Sequence, residues 1–268
     1  MKTLITGATG LVGTALIHQL QEEDVSIHFL TTRSNQLDRI PNAKGFLWDP
    51  ANNEMDPACW EGVTHLIHLA GTSISIPWTV SNRKKILESR VHSTNLLAQS
   101  LKEQKHTLRT VVAASAVGIY PSSITTEYSE NAAPGTGFLA DVVTQWETAV
   151  NALSNHAQVV IKLRTGLVLS RKGGVLPTLA LPVNFGIGAA FGSGKQGQSW
   201  IHLSDLAGLF VFALTQEQST VYNAVAPNPV SQNELIKALG RYMKRPVFLP
   251  NIPAFLMRML LGQRSALV

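Results

Sequence analysis

Gly7, Gly10 and Gly13 stand three residues apart in Ile-Thr-Gly-Ala-Thr-Gly-Leu-Val-Gly, directly after the apolar run Lys-Thr-Leu-Ile-Thr. A strand that turns straight into a helix leaves unpaired N–H groups at the helix start, and these, with the helix dipole, attract a phosphate. Gly7 permits the tight turn, Gly10 lets a pyrophosphate approach the backbone, and Gly13 lets the helix lie close to the strand. Thr9, Leu11 and Val12 complete this cofactor-binding turn. About twenty residues further on, an NAD-binding chain places an acid for the ribose 2′-hydroxyl. Residues 30–34 read Leu-Thr-Thr-Arg-Ser, with no Asp or Glu. Thr32 and Arg33 stand there instead, and a guanidinium grips a 2′-phosphate in bidentate fashion, which favours NADP. The alternative for Arg33 is a solvated loop residue. Asp49, in Trp-Asp-Pro, is a candidate for the adenine amine or a plain turn residue before proline. Leu69, Ala70 and Gly71 close a later strand where backbone would line the adenine–ribose side.

The elements that must position these residues follow from periodicity. Strands are expected at 2–6, 25–31, 44–48, 64–70, 110–115 and 158–164, with helices at 11–21, 79–104 and 138–154. Strands alternating with helices predict an α/β fold with a doubly wound parallel sheet and right-handed crossovers. After residue 164 the rhythm breaks. The stretch 172–198 holds seven glycines and two prolines and reads as loop and short helix. A short strand entering a helix follows at 200–214, capped near Ser204 or Asp205. A strand at Val-Tyr-Asn-Ala-Val-Ala, a helix at Ser-Gln-Asn-Glu-Leu-Ile-Lys-Ala-Leu-Gly-Arg-Tyr-Met and a last apolar helix at about 253–261 complete the chain.

The totals exclude several classes of function. With 45% hydrophobic and 15% charged residues over 268 positions, a large core is available and disorder is not expected. The net charge of +5 comes without any run of five or six basic residues, so nucleic-acid binding is not read from it. The single cysteine, Cys59, leaves neither an internal disulfide nor a cysteine cluster for a metal, and a reduced compartment is the default. The eight histidines show no paired His/Asp spacing, so no metal site is expected. No apolar run approaches the roughly 20 residues of a membrane span, and the N-terminus has no signal-peptide pattern. The expectation is a soluble, cytoplasmic protein, monomer or homodimer, acting on a small molecule with neither nucleic acid nor membrane as partner.

These residues resemble the extended short-chain dehydrogenase/reductase superfamily, its NAD-dependent epimerase/dehydratase group, and within that an "epimerase family protein" branch with atypical active sites. The likeness runs through Ile-Thr-Gly-Ala-Thr-Gly-Leu-Val-Gly, Leu-Ala-Gly at 69–71, Ser-Arg-Val-His-Ser-Thr at 89–94, Ala-Ser-Ala-Val-Gly-Ile-Tyr at 114–120, Trp146–Glu147, residues 192–208, residues 222–230 and Gly-Gln-Arg at 262–264. It implies a Rossmann-type domain over 1–165, with 200–225 returning to it, and a small C-terminal substrate lobe from 166–199 and 226–268. That branch usually continues for some tens of residues past its Gly-Gln-Arg. The resemblance also implies NADP binding through Thr32–Arg33, Leu69–Ala70, Arg90 and the backbone near Val168, and oxidoreductase or epimerase activity on a small hydroxyl or carbonyl compound.

The superfamily usually pairs Tyr with Lys four residues later. The residues four after Tyr120, Tyr128, Tyr222 and Tyr242 are Ile124, Ala132, Ala226 and Pro246, so the pair is absent. At the matching helix stand Phe138 or Leu139, then Val142 or Val143. Ser115 matches the superfamily's substrate-binding hydroxyl and is a candidate to polarise a carbonyl, or else a hydroxyl satisfied by a neighbouring loop. Tyr120 is the candidate replacement general acid, or else a packed aromatic. Asp141, Glu147 and Tyr128 are expected at the surface or in caps, with lining the pocket as the alternative, Arg83, Lys84 and Lys85 on a solvated face, and Arg164 as a structural ion or carbonyl partner. His202 is expected as a hydrogen-bonded structural histidine, with an acid–base role as the alternative. A non-catalytic NADP-binding sensor or assembly partner is the competing reading.

Overall fold

The computed structural model describes residues 1–253 except 122 and 124, together with 255 and 256. The last apolar helix expected at about 253–261 therefore lies almost wholly outside the described residues. Along the chain run β1 (Lys2–Thr6), α1 (Leu11–Glu22), β2 (Ser26–Thr31), β3 (Ala43–Asp49), β4 (Glu54–Met55), β5 (His65–His68), α2 (Val80–Glu103), β6 (Leu108–Ala116), α3 (Phe138–Asn151) and β7 (Ala157–Thr165). Beyond them come β8 (Leu167–Ser170), β9 (Gly173–Gly174), α4 (Val175–Asn184), β10 (Gly197–Gln198), β11 (Trp200–His202), α5 (Leu203–Leu214), β12 (Thr220–Ala224), β13 (Val230–Ser231) and α6 (Gln232–Met243).

The main sheet has eight strands in the order β12-β7-β6-β5-β1-β2-β3-β4, parallel except for the β3–β4 pair. The chain lays β2 and β3 on one side of β1, then returns to lay β5, β6, β7 and β12 on the other. The order reverses between β1 and β5, and the crevice at that point, outside the carboxyl ends of the strands, is where such sheets take their ligands.

Each face of the sheet is covered by helices because adjacent strand residues point to opposite sides. Ile5 joins a core with Leu16, Ile17 and Leu20 of α1 and Phe210 of α5. Leu4, its neighbour, joins the opposite core with Leu97 and Leu101 of α2 and Trp146 and Val150 of α3. The buried residues of α1, Gly13, Leu16, Ile17 and Leu20, follow the three-and-four spacing of one helix face. A separate small core joins Leu179 and Val183 of α4 to Leu235 and Ile236 of α6. The glycine-rich stretch after residue 172 thus carries a ten-residue helix that runs through Pro182.

Candidate functional site

The glycine turn has the geometry its spacing implies. Gly7 sits at φ +69°, a left-handed conformation that disfavours a side chain. A Cβ there would also lie 3.0 Å from the backbone carbonyl of Leu69, the residue that follows β5 in the neighbouring connection. A Cβ on Gly13 would fall 2.3 Å from Gly7 O and 2.7 Å from Ala8 O, so only glycine lets α1 lie this close to the strand end. Thr9 and Gly10 are exposed. Gly10 is the N-cap of α1, no side chain caps the helix, and no acidic residue stands in its first turn. The helix start is open toward the crevice, with its dipole uncompensated.

Three other segments converge on this turn. First, Leu11 packs on the β8–β9 hairpin: Cβ atoms on Gly173 and Gly174 would lie 3.4 and 3.3 Å from its methyl carbons. That hairpin carries Val168, whose carbonyl oxygen is 3.2 Å from the would-be Gly174 Cβ, and both Val12 and Val168 pack against the core of α1 and α5. Second, Leu69 and Ala70 donate their backbone N–H groups to Thr6 Oγ1, both at 3.0 Å. With two bonds accepted, the Thr6 hydroxyl hydrogen goes to His68 Nδ1 at 2.7 Å. The His68 proton is then on Nε2, which donates to Thr94 Oγ1 at 3.0 Å, and Thr94 donates to Arg90 O at 2.7 Å. His68 is fully buried, and burial, with the Arg90 charge beside it, pushes its pKa down to about 3. This neutral imidazole ties the Leu69–Ala70 backbone to α2. Third, Arg90 lies against Gly71, whose would-be Cβ is 3.1 Å from Arg90 Cζ. Its Nη1 donates to Thr72 O at 3.0 Å and Ile86 O at 2.8 Å, and its guanidinium covers the Trp146 ring at 5.1 Å. Burial brings the Arg90 pKa down to about 10, so a cation is held here against its desolvation cost.

Thr32 and Arg33 follow β2, one strand over from β1, and both are exposed. The Arg33 N–H donates to Thr31 Oγ1 at 3.2 Å, and among the described residues its guanidinium has no ion-pair partner. Asp49 ends β3. Its two carboxylate oxygens accept from Ala51 N–H and Asn52 Nδ2, both at 2.9 Å, and these bonds, the Asn52 side chain's first, lower its pKa. The structure shows Asp49 in its turn role.

The candidate catalytic residues stand on the other side of β1. Ser115, Arg164 and Asn223 occupy one rung across β6, β7 and β12. Ser115 is 4% exposed, and its Oγ donates to Glu147 Oε1 at 2.5 Å. Arg164 grips the same carboxylate through Nε at 2.9 Å and Nη2 at 3.0 Å, while Nη1 donates to Tyr120 Oη at 2.8 Å. Tyr120 Oη donates to Asn223 Oδ1 at 2.5 Å, and the Tyr120 ring stacks on Tyr128. Ser115 thus has its proton committed to Glu147, and Tyr120 its proton to Asn223. Burial alone would raise the Glu147 pKa, but hydrogen bonds from Arg164 and Ser115 and the charges of Arg164 and Lys162 outweigh it and hold it below the usual range. Glu147 is a buried ion-pair member, not the expected surface or capping residue.

The cap of α5 lies beside Ser204 and Asp205 as expected: His202 is the N-cap, its Nδ1 accepting from Ser204 N–H, which makes it a hydrogen-bonded histidine. One further expectation is corrected. Arg83 is not on a solvated face: its guanidinium covers Phe138 at 4.6 Å and its Nε is buried. Lys84 does sit at the surface, 3.7 Å from Glu88. Sequence reasoning missed Thr6, His68 and Thr94, whose one signal is the pair of histidines, His65 and His68, that bracket Leu66 and Ile67 in a buried strand. Among the described residues, no helix is long and apolar enough to cross a membrane and no cluster of His, Cys, Asp and Glu could hold a metal ion.

Sheet order, glycine turn and strand-order reversal define a Rossmann-type dinucleotide-binding α/β protein. The chain belongs to the NAD dependent epimerase/dehydratase family, whose model matches residues 3–224. It is 34% identical over 274 residues to the chloroplastic "epimerase family protein SDR39U1 homolog" of Arabidopsis thaliana, covering 100% of this chain and 78% of that protein. The crystal structure of human epimerase family protein SDR39U1 (isoform 2) with NADPH superposes with a TM-score of 0.85 at 29% identity, over 99% of this chain and 88% of that one. A nucleoside-diphosphate sugar epimerase from Corynebacterium glutamicum superposes with a TM-score of 0.75 at 32% identity, over 97% of this chain and 54% of that one.

Proposed function

We propose that this chain binds NADPH and acts as an NADP-dependent oxidoreductase or epimerase on a small hydroxyl or carbonyl compound. The observation that carries the reading is the open, uncapped start of α1 beside a β2 end that presents Arg33 and no acid. In this reading the backbone of Gly7–Gly13 receives the diphosphate, Thr32 and Arg33 receive the 2′-phosphate, and Leu69–Gly71 line the adenosine side. Arg90 and the Val168 backbone hold the nicotinamide half. The similarity to a human protein crystallised with NADPH supports the choice of nucleotide. Bound NADPH would supply the hydride. Ser115 would fix the substrate oxygen once its bond to Glu147 opens, and Tyr120 would supply the proton. The lobe of 166–199 and 226–268 would cover the substrate.

A second reading, an NADP-binding sensor or assembly partner without turnover, is favoured by one specific observation: both candidate hydroxyls already spend their protons on Glu147 and Asn223. One experiment separates the two. NADPH consumption is followed across a panel of aldehydes, ketones and ketoacids, for the native chain and Ser115→Ala. Turnover that falls at least tenfold in Ser115→Ala supports the enzyme. NADPH binding with no turnover in either form supports the sensor.

A further inference from the structure

α2 links the end of β5 to the start of β6, and α3 links β6 to β7, all three strands being parallel. Both helices therefore begin on the carboxyl-end side of the sheet, where the ligand crevice lies, and run down toward the opposite edge. Arg83 and Arg90 are seven residues apart on α2, about 10 Å along its axis. Phe138 and Trp146 are eight apart on α3, about 12 Å. Each arginine covers one of these rings, Arg83 over Phe138 at 4.6 Å and Arg90 over Trp146 at 5.1 Å. The seam between the helices thus carries two stacked cation–ring pairs, one level with Gly71 in the cofactor crevice and one above it.

The seam leaves polar groups of both pairs unmet. Among the described residues neither arginine has a carboxylate within 4.0 Å, and the nearby Glu88 is paired with Lys84. Among the described residues Arg83 Nε is buried with no hydrogen-bond partner, and so is Trp146 Nε1 on the same seam. The rings around Arg83 form an apolar wall: Phe138 meets Trp78 edge-on at 4.9 Å, with Ile76, Leu87 and Leu139 packed beside them. A guanidinium with no carboxylate beside it and a buried, unpaired Nε is costly to hold, and a planar fork beside aromatic rings suits an oxyanion carried on a flat or apolar body. Leu139 also packs toward Gly118, in the connection that leaves Ser115.

We infer that Arg83 is a specificity-determining residue, and that the substrate taken above the nicotinamide half carries an oxyanion, a carboxylate or a phosphate, which Arg83 binds while the substrate body rests on Trp78 and Phe138. This rests on the proposed function in placing the substrate next to Arg90, but it concerns a separate group and fails separately.

The test titrates phenyl phosphate, benzoate and benzyl alcohol by calorimetry into the protein, with and without saturating NADPH, for the native chain, Arg83→Gln and Arg83→Lys. The expected result is binding of one or both anions to the NADPH-loaded protein, with benzyl alcohol at least tenfold weaker. The preferred anion tells phosphate from carboxylate. Arg83→Gln should weaken anion binding at least tenfold and leave NADPH affinity within twofold. Arg83→Lys should recover part of the loss, and thermal melting checks that both variants fold. The inference is overturned if neither anion binds, if Arg83→Gln binds them as the native chain does, or if they merely compete with NADPH. Failure of NADPH to bind would instead sink the proposed function, and the NADPH-free titration would still decide the role of Arg83.

Discussion

Replacing Glu147 with glutamine removes one charge from a buried, fully engaged carboxylate. Glu147 and Arg164 are each 7% exposed. The carboxylate accepts from Ser115 Oγ and from Arg164 Nε and Nη2, and Lys162 Nζ lies 3.7 Å away. A glutamine side chain turns one of those acceptors into a donor facing a guanidinium, and leaves the Arg164 charge without its counter-ion. Breaking a buried pair by removing one partner costs about 3–5 kcal/mol. In a chain of this size each kcal/mol lowers the melting temperature by roughly 2–4 °C, so Glu147→Gln should melt roughly 6–20 °C below the native chain at pH 7. The pH dependence has a fixed sign. A carboxyl whose folded pKa lies below its unfolded value contributes fully above that unfolded value, about 4.3, and loses the contribution as pH falls through the folded value. The gap between native and variant should hold from pH 7 to about 5 and narrow below about 4. Differential scanning calorimetry of both proteins from pH 3 to 7 measures it. A loss below about 1 kcal/mol at pH 7, the worth of an exposed pair, refutes the assignment of Glu147 and Arg164 as a buried, mutually compensating pair.

Gly13→Ala should weaken NADPH binding at least tenfold, because its Cβ would sit 2.3 Å from Gly7 O, a backbone atom that yields only if the turn itself moves; native-like affinity by calorimetry would show that the turn does not hold the nucleotide. His68 should stay neutral with its proton on Nε2, showing no chemical-shift titration between pH 5 and 8 in nitrogen-15 NMR; a midpoint near 6.5 would break the Thr6–His68–Thr94 chain of bonds. Its depressed pKa also means stability falls as pH drops below the unfolded value of about 6.5, since only the unfolded chain then takes up the proton. Cys59 is fully buried and its thiol is pushed up to about 12 by burial, so it should resist iodoacetamide at pH 8 until the protein unfolds; labelling at the rate of a free thiol would contradict that burial.

The sheet was legible because its strands are apolar runs fenced by polar or glycine-rich segments, and β1 falls at 2–6 as its pattern predicts. The glycine turn was legible because backbone sterics, not partners, decide which residue fits. The Glu147–Arg164 pair was not, since it depends on the rung that aligns Ser115, Arg164 and Asn223 across three strands, and a rung exists only once the strand order is known. Asp49 could serve a ligand or a turn by its type alone, and only the folded chain shows that its carboxylate accepts from Ala51 N–H and Asn52 Nδ2. Arg83 was hidden in a basic run, yet a signal existed. It lies three residues before buried Ile86 and Arg90 lies four after, so both belong to the buried stripe of α2 and not to the solvated face of Lys84 and Lys85.

Calorimetric titration of the native chain and Arg33→Ala with NADPH and with NADH tests the central claim most directly. A diphosphate seated on the start of α1 with its 2′-phosphate on Arg33 predicts that both nucleotides bind the native chain, NADPH more tightly. The substitution should then cost NADPH about tenfold or more, the worth of a charge-assisted hydrogen bond, and leave NADH nearly unchanged. Flat titrations with both nucleotides, or equal losses for both in Arg33→Ala, would contradict it.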